Sequence, residues 1–363
     1  MKSKIIFLAT FILFFAISYV HSLEITSEIL ISNLFLEEKH KSAHIRGTIF
    51  TKLINTKNFL VDLHYELSDE RQKLNVAYLK FLEEKFEIAI GRQLMAWGSG
   101  YNFNPTDIFN KKPIGAAFDP AYIKRGRDAV IFTSYYWDFI TDVVFAPHYS
   151  FSEKIEGSIS LYEKGREDFG LRIKRNIRDF DLEVSYIKLG KRTFTFEGTD
   201  YLDKSDDILG FSAKGSLPVI DWGIWLEAAR YLDQNVSEYV TGLEYIFDRW
   251  TLNFEYYRTG FGSANKNFYD FELMYRGRMV GRDYFAPSVI YVFNEKYTLT
   301  GFVFSNLNDS SNVFGAVIEY FYNDIIELAF LPFFMTGDTD SEYGSRRAEL
   351  GNFGIQALIK ITF

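Results

Sequence analysis

The sequence contains no cysteine, which excludes a disulfide framework, a thiolate metal site and a lipid anchor on cysteine. It also lacks an excess of positive charge. The net charge is −8, which argues against nucleic-acid binding, since such proteins usually carry a basic face. Aromatic residues, in contrast, make up 18% of the 363 residues, although the mean hydropathy is only −0.09. Apolar residues must therefore be interleaved with polar ones. This excludes a helical membrane bundle, and a disordered chain is excluded because such chains lack aromatic residues.

The first 22 residues have the pattern of a secretory signal peptide. Lys2 and Lys4 precede an apolar run from Ile5 to Val20, and Ser22 offers a small residue near a cleavage point. The run is short for a membrane anchor, which needs ~20 apolar residues. We expect cleavage near Ser22 and export of residues 23–363, with an uncleaved N-terminal anchor as the alternative.

The C-terminal residues alternate with a period of two, which is the period of a β-strand. One face of this segment is wholly apolar and consists of Phe353, Ile355, Ala357, Ile359, Ile361 and Phe363. A strand that ends on an aromatic residue resembles the terminal strand of bacterial outer-membrane β-barrels, which the barrel-assembly machinery recognises. Phe363 is therefore the expected assembly signal. The alternative is the last strand of a soluble secreted β protein.

The same alternation recurs in segments that begin at Phe59, Phe86, Phe169, Phe180 and Trp250. Strands of ~10 residues with one apolar and one polar face suit a barrel with lipid outside and water inside. A β-sandwich would alternate in the same way, but aromatic residues at many strand ends favour the barrel. We therefore predict an all-β fold: one transmembrane antiparallel up-and-down β-barrel over residues 23–363. We expect about 18 strands, with 16 as the alternative.

Connections of two lengths support this fold, since barrels have short turns at one end and long loops at the other. The longer polar stretches are Leu94–Arg127, Gly190–Asp207, Gly260–Asp283 and Thr336–Leu350. Charged residues on the polar faces of the strands are expected to line the lumen. They are Asp62, Glu66, Glu87, Arg172, Lys174, Asp181, Glu183, Glu255 and Lys360. Because acids outnumber bases among them, we expect a weak cation preference that fades as salt screens the charges.

The most distinctive segment opens the longest stretch, at residues 91–110. Asn104 followed by Pro105 is typical of a helix N-cap and first helical position, with Asp107 at the third position. This pattern predicts a short helix from Pro105 to about Phe109.

The motif Trp-Gly-x-Gly at Trp97–Gly100, followed by Asn-Pro-Thr-Asp-x-Phe-Asn at Asn104–Asn110, resembles a signature of porin-like outer-membrane proteins. That family includes relatives of the alginate-export barrels. The resemblance extends to Arg125-Gly-Arg-Asp128. It implies a porin-like barrel, and it implies no particular ligand contact.

The stretch at 94–127 is not composed like a solvated surface loop. It carries several aromatic residues that would be costly to leave in water as one patch, and its glycines and prolines favour a fixed irregular path. We expect it to fold into the barrel as a solute-selecting constriction. The expected constriction residues are Arg92, Trp97, Asn104, Asp107, Arg125, Arg127 and Asp128. The alternatives are a loop that only plugs and braces the barrel, an outer cap, or a contact with a neighbouring subunit.

Other motifs do not indicate enzymatic chemistry. His40 and His44 lie in a polar turn, and a Gly-x-Ser-x-Gly elbow is absent. Asp338, Asp340 and Glu342 alternate and could hold Ca²⁺, but a solvated acidic loop is the reading we favour. We therefore expect no enzyme, no cofactor and no metal.

These patterns together predict a passive, porin-like channel for small hydrophilic solutes in the bacterial outer membrane, selective through constriction size and lining charge. The alternatives are a structural or adhesive surface barrel and an outer-membrane enzyme. The expected partners are outer-membrane lipid, the barrel-assembly machinery and a small hydrophilic solute or ion, with no nucleic acid. A homo-oligomer is compatible with the sequence.

Overall fold

The computed structural model describes residues 23–36, 41–54, 59–68, 72–110, 126–155, 159–196, 199–217, 221–275, 278–345 and 352–362. Side chains are described from residue 76 onward within these ranges, except at 149–163, 194, 196, 275 and 362. The expected signal peptide, Arg125 and Phe363 lie outside the described residues.

The described residues are almost entirely strand. The strands are β1 Leu23–Leu36, β2 Lys41–Ile54, β3 Phe59–Ser68, β4 Gln72–Leu82, β5 Phe86–Gln93, β6 Arg127–Tyr136, β7 Phe139–Ala146, β8 Tyr149–Ile155, β9 Ile159–Gly165, β10 Asp168–Ile177, β11 Phe180–Leu189, β12 Arg192–Phe196, β13 Thr199–Asp203, β14 Asp206–Leu217, β15 Trp222–Tyr231, β16 Val236–Phe247, β17 Trp250–Thr259, β18 Asp283–Asn294, β19 Tyr297–Asn306, β20 Asn312–Phe321, β21 Ile326–Thr336 and β22 Phe353–Thr362. A 3-10 turn spans Lys266–Phe268, helix α1 spans Glu272–Tyr275, and residues 342–345 are helical. Within the described residues, no helix has the length and apolar character needed to cross a membrane.

Eighteen of the strands form one antiparallel sheet in which each strand pairs with the strands before and after it. The first and last strands also pair, with Ile31 opposite Ile359 and Leu36 opposite Gly354, so the pairing returns to its start. The predicted antiparallel up-and-down barrel of 18 strands is therefore confirmed.

The connections between these strands alternate strictly between the two ends of the sheet. At one end, two-residue turns join β6 to β7, β10 to β11, β16 to β17 and β18 to β19. Trp137, Arg178 and Asp248 take the left-handed backbone that such tight hairpins need. The other end carries the long connections at 94–126, 260–282 and 337–352.

A second, four-stranded sheet, called the outer sheet from here on, stands at the long-connection end, in the order β13-β12-β9-β8. Its strands prolong the hairpins of the main sheet, since β8 and β9 follow β7 and precede β10, and β12 and β13 lie between β11 and β14. The sequence interpretation of residues 190–207 as a polar loop is therefore wrong for β12 and β13.

The two faces of the main sheet differ as the alternation predicts. Val184 on β11 and Leu226 on β15 are 58% and 44% exposed, whereas the neighbouring Glu183 and Glu227 are buried. Strands with large exposed apolar side chains on the outer face need lipid there, because water would make such a surface costly.

Aromatic side chains in ring–ring contact lie at the short-turn end of the sheet. Ring centroids are 5.2 Å apart for Trp222 and Tyr245, and 4.3 Å apart for Trp250 and Tyr291. Trp137, in one of the turns, is 83% exposed. Aromatic rings settle where hydrocarbon meets water, so these rings mark one membrane interface.

Candidate functional site

Residues 94–110, called the inward segment from here on, leave the end of β5 and cross the inner wall. Their main-chain N–H groups meet three carboxylates, Glu183 on β11, Glu227 on β15 and Glu255 on β17. These three side chains, called the carboxylate row, are 8%, 0% and 1% exposed. They lie on the face opposite to the exposed apolar residues. The segment therefore lies inside the ring of strands.

Glu227 is the central member of the carboxylate row. It accepts hydrogen bonds from the N–H groups of Ser99 at 2.7 Å, Gly100 at 2.8 Å and Thr106 at 2.6 Å, and from the Thr106 hydroxyl at 2.9 Å. Hydrogen bonds to a charged acceptor are about twice as strong as neutral ones. One carboxylate therefore fixes two separate parts of the inward segment.

The other two members extend this arrangement along the wall. Glu255 accepts from the N–H groups of Tyr101, Asn102 and Phe103 at 2.7, 2.7 and 3.1 Å. The indole N–H of Trp225 donates to the same carboxylate at 2.9 Å. Glu183 accepts from Gly98 at 3.2 Å. The row thus holds the segment by its backbone, and any side chain could in principle occupy most of these positions.

Two glycines are the exceptions, and they explain the Trp-Gly-x-Gly motif. Gly98 has a φ of +88°, and an added Cβ would collide with side chains of Asn104, Thr106 and Glu227. At Gly100, a Cβ would collide with the carbonyl of Phe103. Only glycine lets the backbone turn its N–H groups toward one carboxylate at such close approach.

The start of the inward segment packs through apolar contacts. Trp97 is 2% exposed, and its ring meets Phe109 edge to face at a centroid distance of 5.0 Å. Gly170 on the wall leaves room for both rings, because an added Cβ at this position would lie 2.7 Å from each of them. The Arg172 guanidinium lies over the Trp97 ring at 5.3 Å. These contacts bury the aromatic residues that the sequence makes too costly to expose.

The predicted helix from Pro105 to Phe109 is wrong, although its capping bond is present. The Asn104 side chain accepts a hydrogen bond from the Asp107 N–H at 3.1 Å. The chain then forms a turn at 105–106 and no helix. Asn110 explains this, because its side chain donates to the Met95 carbonyl at 2.6 Å and to Asp107 at 2.5 Å, which folds the chain back.

The inward segment reaches the far wall through Phe103. Its ring stacks on Tyr257 at 4.5 Å and lies 6.0 Å from Tyr284. The Tyr284 hydroxyl donates to Glu342 at 2.7 Å, and Asn306 donates to the same carboxylate at 2.9 Å. A second long connection thus meets the inner wall next to the first.

This contact corrects the expectation of a solvated acidic loop at residues 338–342. Glu342 is fully buried. Asp338 and Asp340 are exposed, and both pair with Lys266 of another long connection, at 3.2 and 3.0 Å. Hydrogen bonds to Asp340 and Asp338 raise the pKa of Lys266. Among the described residues, no group of three or more His, Asp or Glu side chains could hold a metal ion.

The residues predicted for the constriction separate into two groups. Trp97, Asn104 and Asp107 belong to the inward segment, and Arg127 lies on the inner wall, where it forms a buried ion pair with Asp168. The Asp107 carboxylate accepts a hydrogen bond from the Asn110 side chain.

Arg92 and Asp128 lie on the other face of the sheet. They pair with each other at 2.7 Å. Arg92 shares a face of β5 with Ile90, which is 53% exposed, and Asp128 shares a face of β6 with Val130. They therefore point away from the lumen and are not part of a constriction, because strand parity places them on the lipid-facing side.

The residues predicted to line the lumen lie on the inner face wherever side chains are described. Arg172 pairs with Asp142 and, at 3.3 Å, with Glu183. Lys174 pairs with Asp181 at 3.2 Å. Two further members also carry an opposite charge beside them, Glu87 with Lys80 at 2.8 Å and Lys360 with Glu327 at 3.6 Å. The side chains of Asp62 and Glu66 lie outside the described part of the chain.

Sequence reasoning missed Glu227, the member of the carboxylate row that accepts the most hydrogen bonds from the inward segment. Its signal was present, since it is the one charged residue on the inner face of the period-two strand Trp222–Tyr231. A single charge on the inner face of such a strand needs a partner to justify its burial.

The ring of strands, the apolar outer face, the aromatic rings at one end and the loop folded inside define a transmembrane β-barrel of the outer-membrane porin type. No family model matches the chain, and no curated protein sequence matches it. Solved structures do match. OpdQ of Pseudomonas aeruginosa is similar at a TM-score of 0.64 and 9% identity, over 95% of this chain and 99% of that one.

Two other structures share the fold. OccAB2 of Acinetobacter baumannii has a TM-score of 0.61 at 10% identity, covering 95% of this chain and 99% of its own. Wzi of Escherichia coli, an outer-membrane carbohydrate-binding β-barrel involved in group 1 capsule assembly, has a TM-score of 0.55 at 12% identity, covering 100% of this chain and 89% of its own. At such identities the likeness establishes the fold, and the function must be argued from this chain's own residues.

Proposed function

We propose that this chain is a porin-like channel in the bacterial outer membrane, through which small hydrophilic solutes diffuse down their gradient. The observation that carries the proposal is the inward segment, whose backbone is fixed by the carboxylate row. A long connection held inside a barrel narrows the lumen without closing it by a separate domain. Selectivity then comes from the size and charge of the remaining passage.

The location in the outer membrane is supported by the outer face of the sheet. Large apolar side chains are exposed along it, and aromatic rings flank its short-turn end. Closed barrels with such a surface satisfy every strand edge within lipid. The fold shared with OpdQ and OccAB2 points in the same direction.

The lumen is expected to favour cations weakly. Most basic side chains on the described inner wall pair with an acid, as Arg172 does with Asp142 and Lys174 does with Asp181. Glu227 and Glu255 are screened by the N–H groups that they bind. Glu244 and Glu319 also face inward and add negative charge to the passage. The excess of negative charge is modest, and salt should weaken its effect because it screens the charges.

The test is an in-frame deletion of residues 97–113, with the purified protein reconstituted in planar bilayers. Removal of the inward segment should raise the single-channel conductance and admit larger solutes. Deletion of residues 192–203 in the outer sheet is the control, and it should leave the conductance close to that of the unaltered protein.

Two results would contradict the proposal. The unaltered protein, folded by the criterion of a heat-shifted band on an SDS gel, could fail to conduct, in which case a structural or adhesive barrel is the better reading. Alternatively, the deletion at 97–113 could leave conductance and size cut-off unchanged, in which case the inward segment is only a brace.

A further inference from the structure

Four basic side chains lie on the outer face at the long-connection end, on β11, β15 and β17 and directly before β18. This basic belt consists of Lys188, Arg230, Arg258 and Arg282. Strand parity fixes the orientation of three of them: Lys188 shares a face with the exposed Val184, Arg230 with Leu226, and Arg258 with Tyr256. The belt thus continues the lipid-facing surface at the level where its apolar part ends.

Two members of the belt are held together by one acid. The Asp283 carboxylate lies 3.4 Å from Arg258 and 2.9 Å from Arg282, and it accepts from the Tyr256 hydroxyl at 2.7 Å. Both arginine side chains remain 38% exposed. A guanidinium has five N–H donors, so Asp283 orients the pair and leaves donors directed outward.

Arg230 belongs to the same surface. Its guanidinium is held by the Ser237 hydroxyl at 2.9 Å and by the Asn235 side chain, which are neutral partners that leave its charge intact. Ser237 and Tyr239 lie on the one strand between Arg230 and Arg258, and the two arginines are therefore about 12 Å apart. Asp207, opposite Lys188, and Asp233 are the further acids near this surface, so with Asp283 three acids face the four bases and the belt keeps a small net positive charge.

The opposite end of the barrel has a different character. There the outer face carries the paired rings of Trp222 and Tyr245 and of Trp250 and Tyr291. Barrels of this type carry their long loops outside the cell. The belt therefore lies on the side of the outer leaflet, at head-group depth.

We propose that the basic belt binds the phosphate groups of a glycolipid in the outer leaflet. Arginine recognises phosphate through paired N–H donors, and clusters of basic residues beside a membrane-spanning surface bind anionic head groups. The apolar residues below the belt, such as Phe211 and Leu226, take the acyl chains. The inference rests on the proposed outer-membrane location and does not depend on channel activity.

The test measures binding of lipid A to the purified protein in detergent by native mass spectrometry, using lipid A with two phosphates and the dephosphorylated form. The double variant Arg230→Gln/Arg258→Gln should lose affinity for the phosphorylated form by on the order of tenfold to thirtyfold, from ~1 kcal/mol for each basic residue at a charged membrane surface. Binding of the dephosphorylated form should be weak to both proteins.

Arg175→Gln is the matched control, because Arg175 also faces outward but lies at the short-turn end, where it pairs with Asp138 at 3.5 Å. It should bind phosphorylated lipid A like the unaltered protein. Arg230→Gln alone, which leaves the Asp283 pair intact, replaces the double variant if that variant does not fold. Equal binding of both lipid forms, or an equal loss in Arg175→Gln, would overturn the proposal. So would unchanged binding in the folded Arg230 variant.

Discussion

Replacement of Glu227 by glutamine should release the inward segment from the wall. The substitution keeps the shape of the side chain but removes the charge, and it turns one acceptor oxygen into an N–H₂ group that faces the donors of Ser99 and Gly100. The carboxylate accepts bonds from Ser99, Gly100 and Thr106 at 2.6 to 2.9 Å. The substitution therefore weakens the hydrogen bonds to the segment, and it replaces some of them with repulsive contacts between two donors.

The magnitude follows from these bonds. A hydrogen bond to a charged group contributes about 1.5–3 kcal/mol, and losses within one network do not add. A net loss of about 3 kcal/mol is a conservative figure for the set, since water in the lumen replaces part of it. At 1.4 kcal/mol for each factor of ten, the detached state should become roughly 100-fold more populated.

Amide hydrogen exchange measures this population directly, at the N–H groups of Ser99, Gly100 and Thr106 in protein reconstituted in detergent. Exchange at these amides should accelerate in Glu227→Gln, and the bilayer conductance should become larger or noisier. Glu244→Gln is the control, because Glu244 lies on the inner face of the next strand and removes the same charge. Equal exchange in the two folded variants would refute the role assigned to Glu227.

Three further outcomes are expected. Gly170→Ala should destabilise the barrel by about 1–3 kcal/mol, because the new methyl group meets Trp97 and Phe109. Gly223→Ala is the control, since a methyl group fits there, and thermal unfolding distinguishes the two variants. The reversal potential across a salt gradient should show weak cation selectivity that declines toward 1 M salt, and anion selectivity would disprove the assigned lumen charge. Deletion of Phe363 should lower the yield of assembled protein in the outer membrane more than deletion of residues 192–203, and equal yields would remove its role as assembly signal.

The strands could be predicted because each carries its own local signal. The alternation from Phe180 to Leu189 places Glu183 on one face and Val184 on the other, whatever the rest of the chain does. The number of strands was predicted by counting how often this alternation recurs along the chain. The outer sheet escaped prediction because β12 and β13 are only five residues each and lie in a polar stretch.

The contacts of the inward segment could not be predicted, because they depend on distant residues. The Asn104–Pro105 pattern correctly indicates a capping bond. No helix follows, because Asn110 and Glu227 form other hydrogen bonds with the same few residues. Arg92 and Asp128 were misplaced for a similar reason. Their nearness in sequence to the loop suggested the lumen, whereas strand parity decides their face.

The spacing of the carboxylate row along the chain has a consequence for assembly. Tyr101 binds a glutamate 154 residues later, and Thr106 binds one 121 residues later. The inward segment therefore cannot dock until β15 and β17 have joined the wall, although β5 and β6 on either side of it are made early. Until that moment the carboxylate row lacks the N–H donors of the segment, and the aromatic residues of the segment have no pocket. Docking of the inward segment is thus a late step, and it stabilises the far half of the wall only once that half exists.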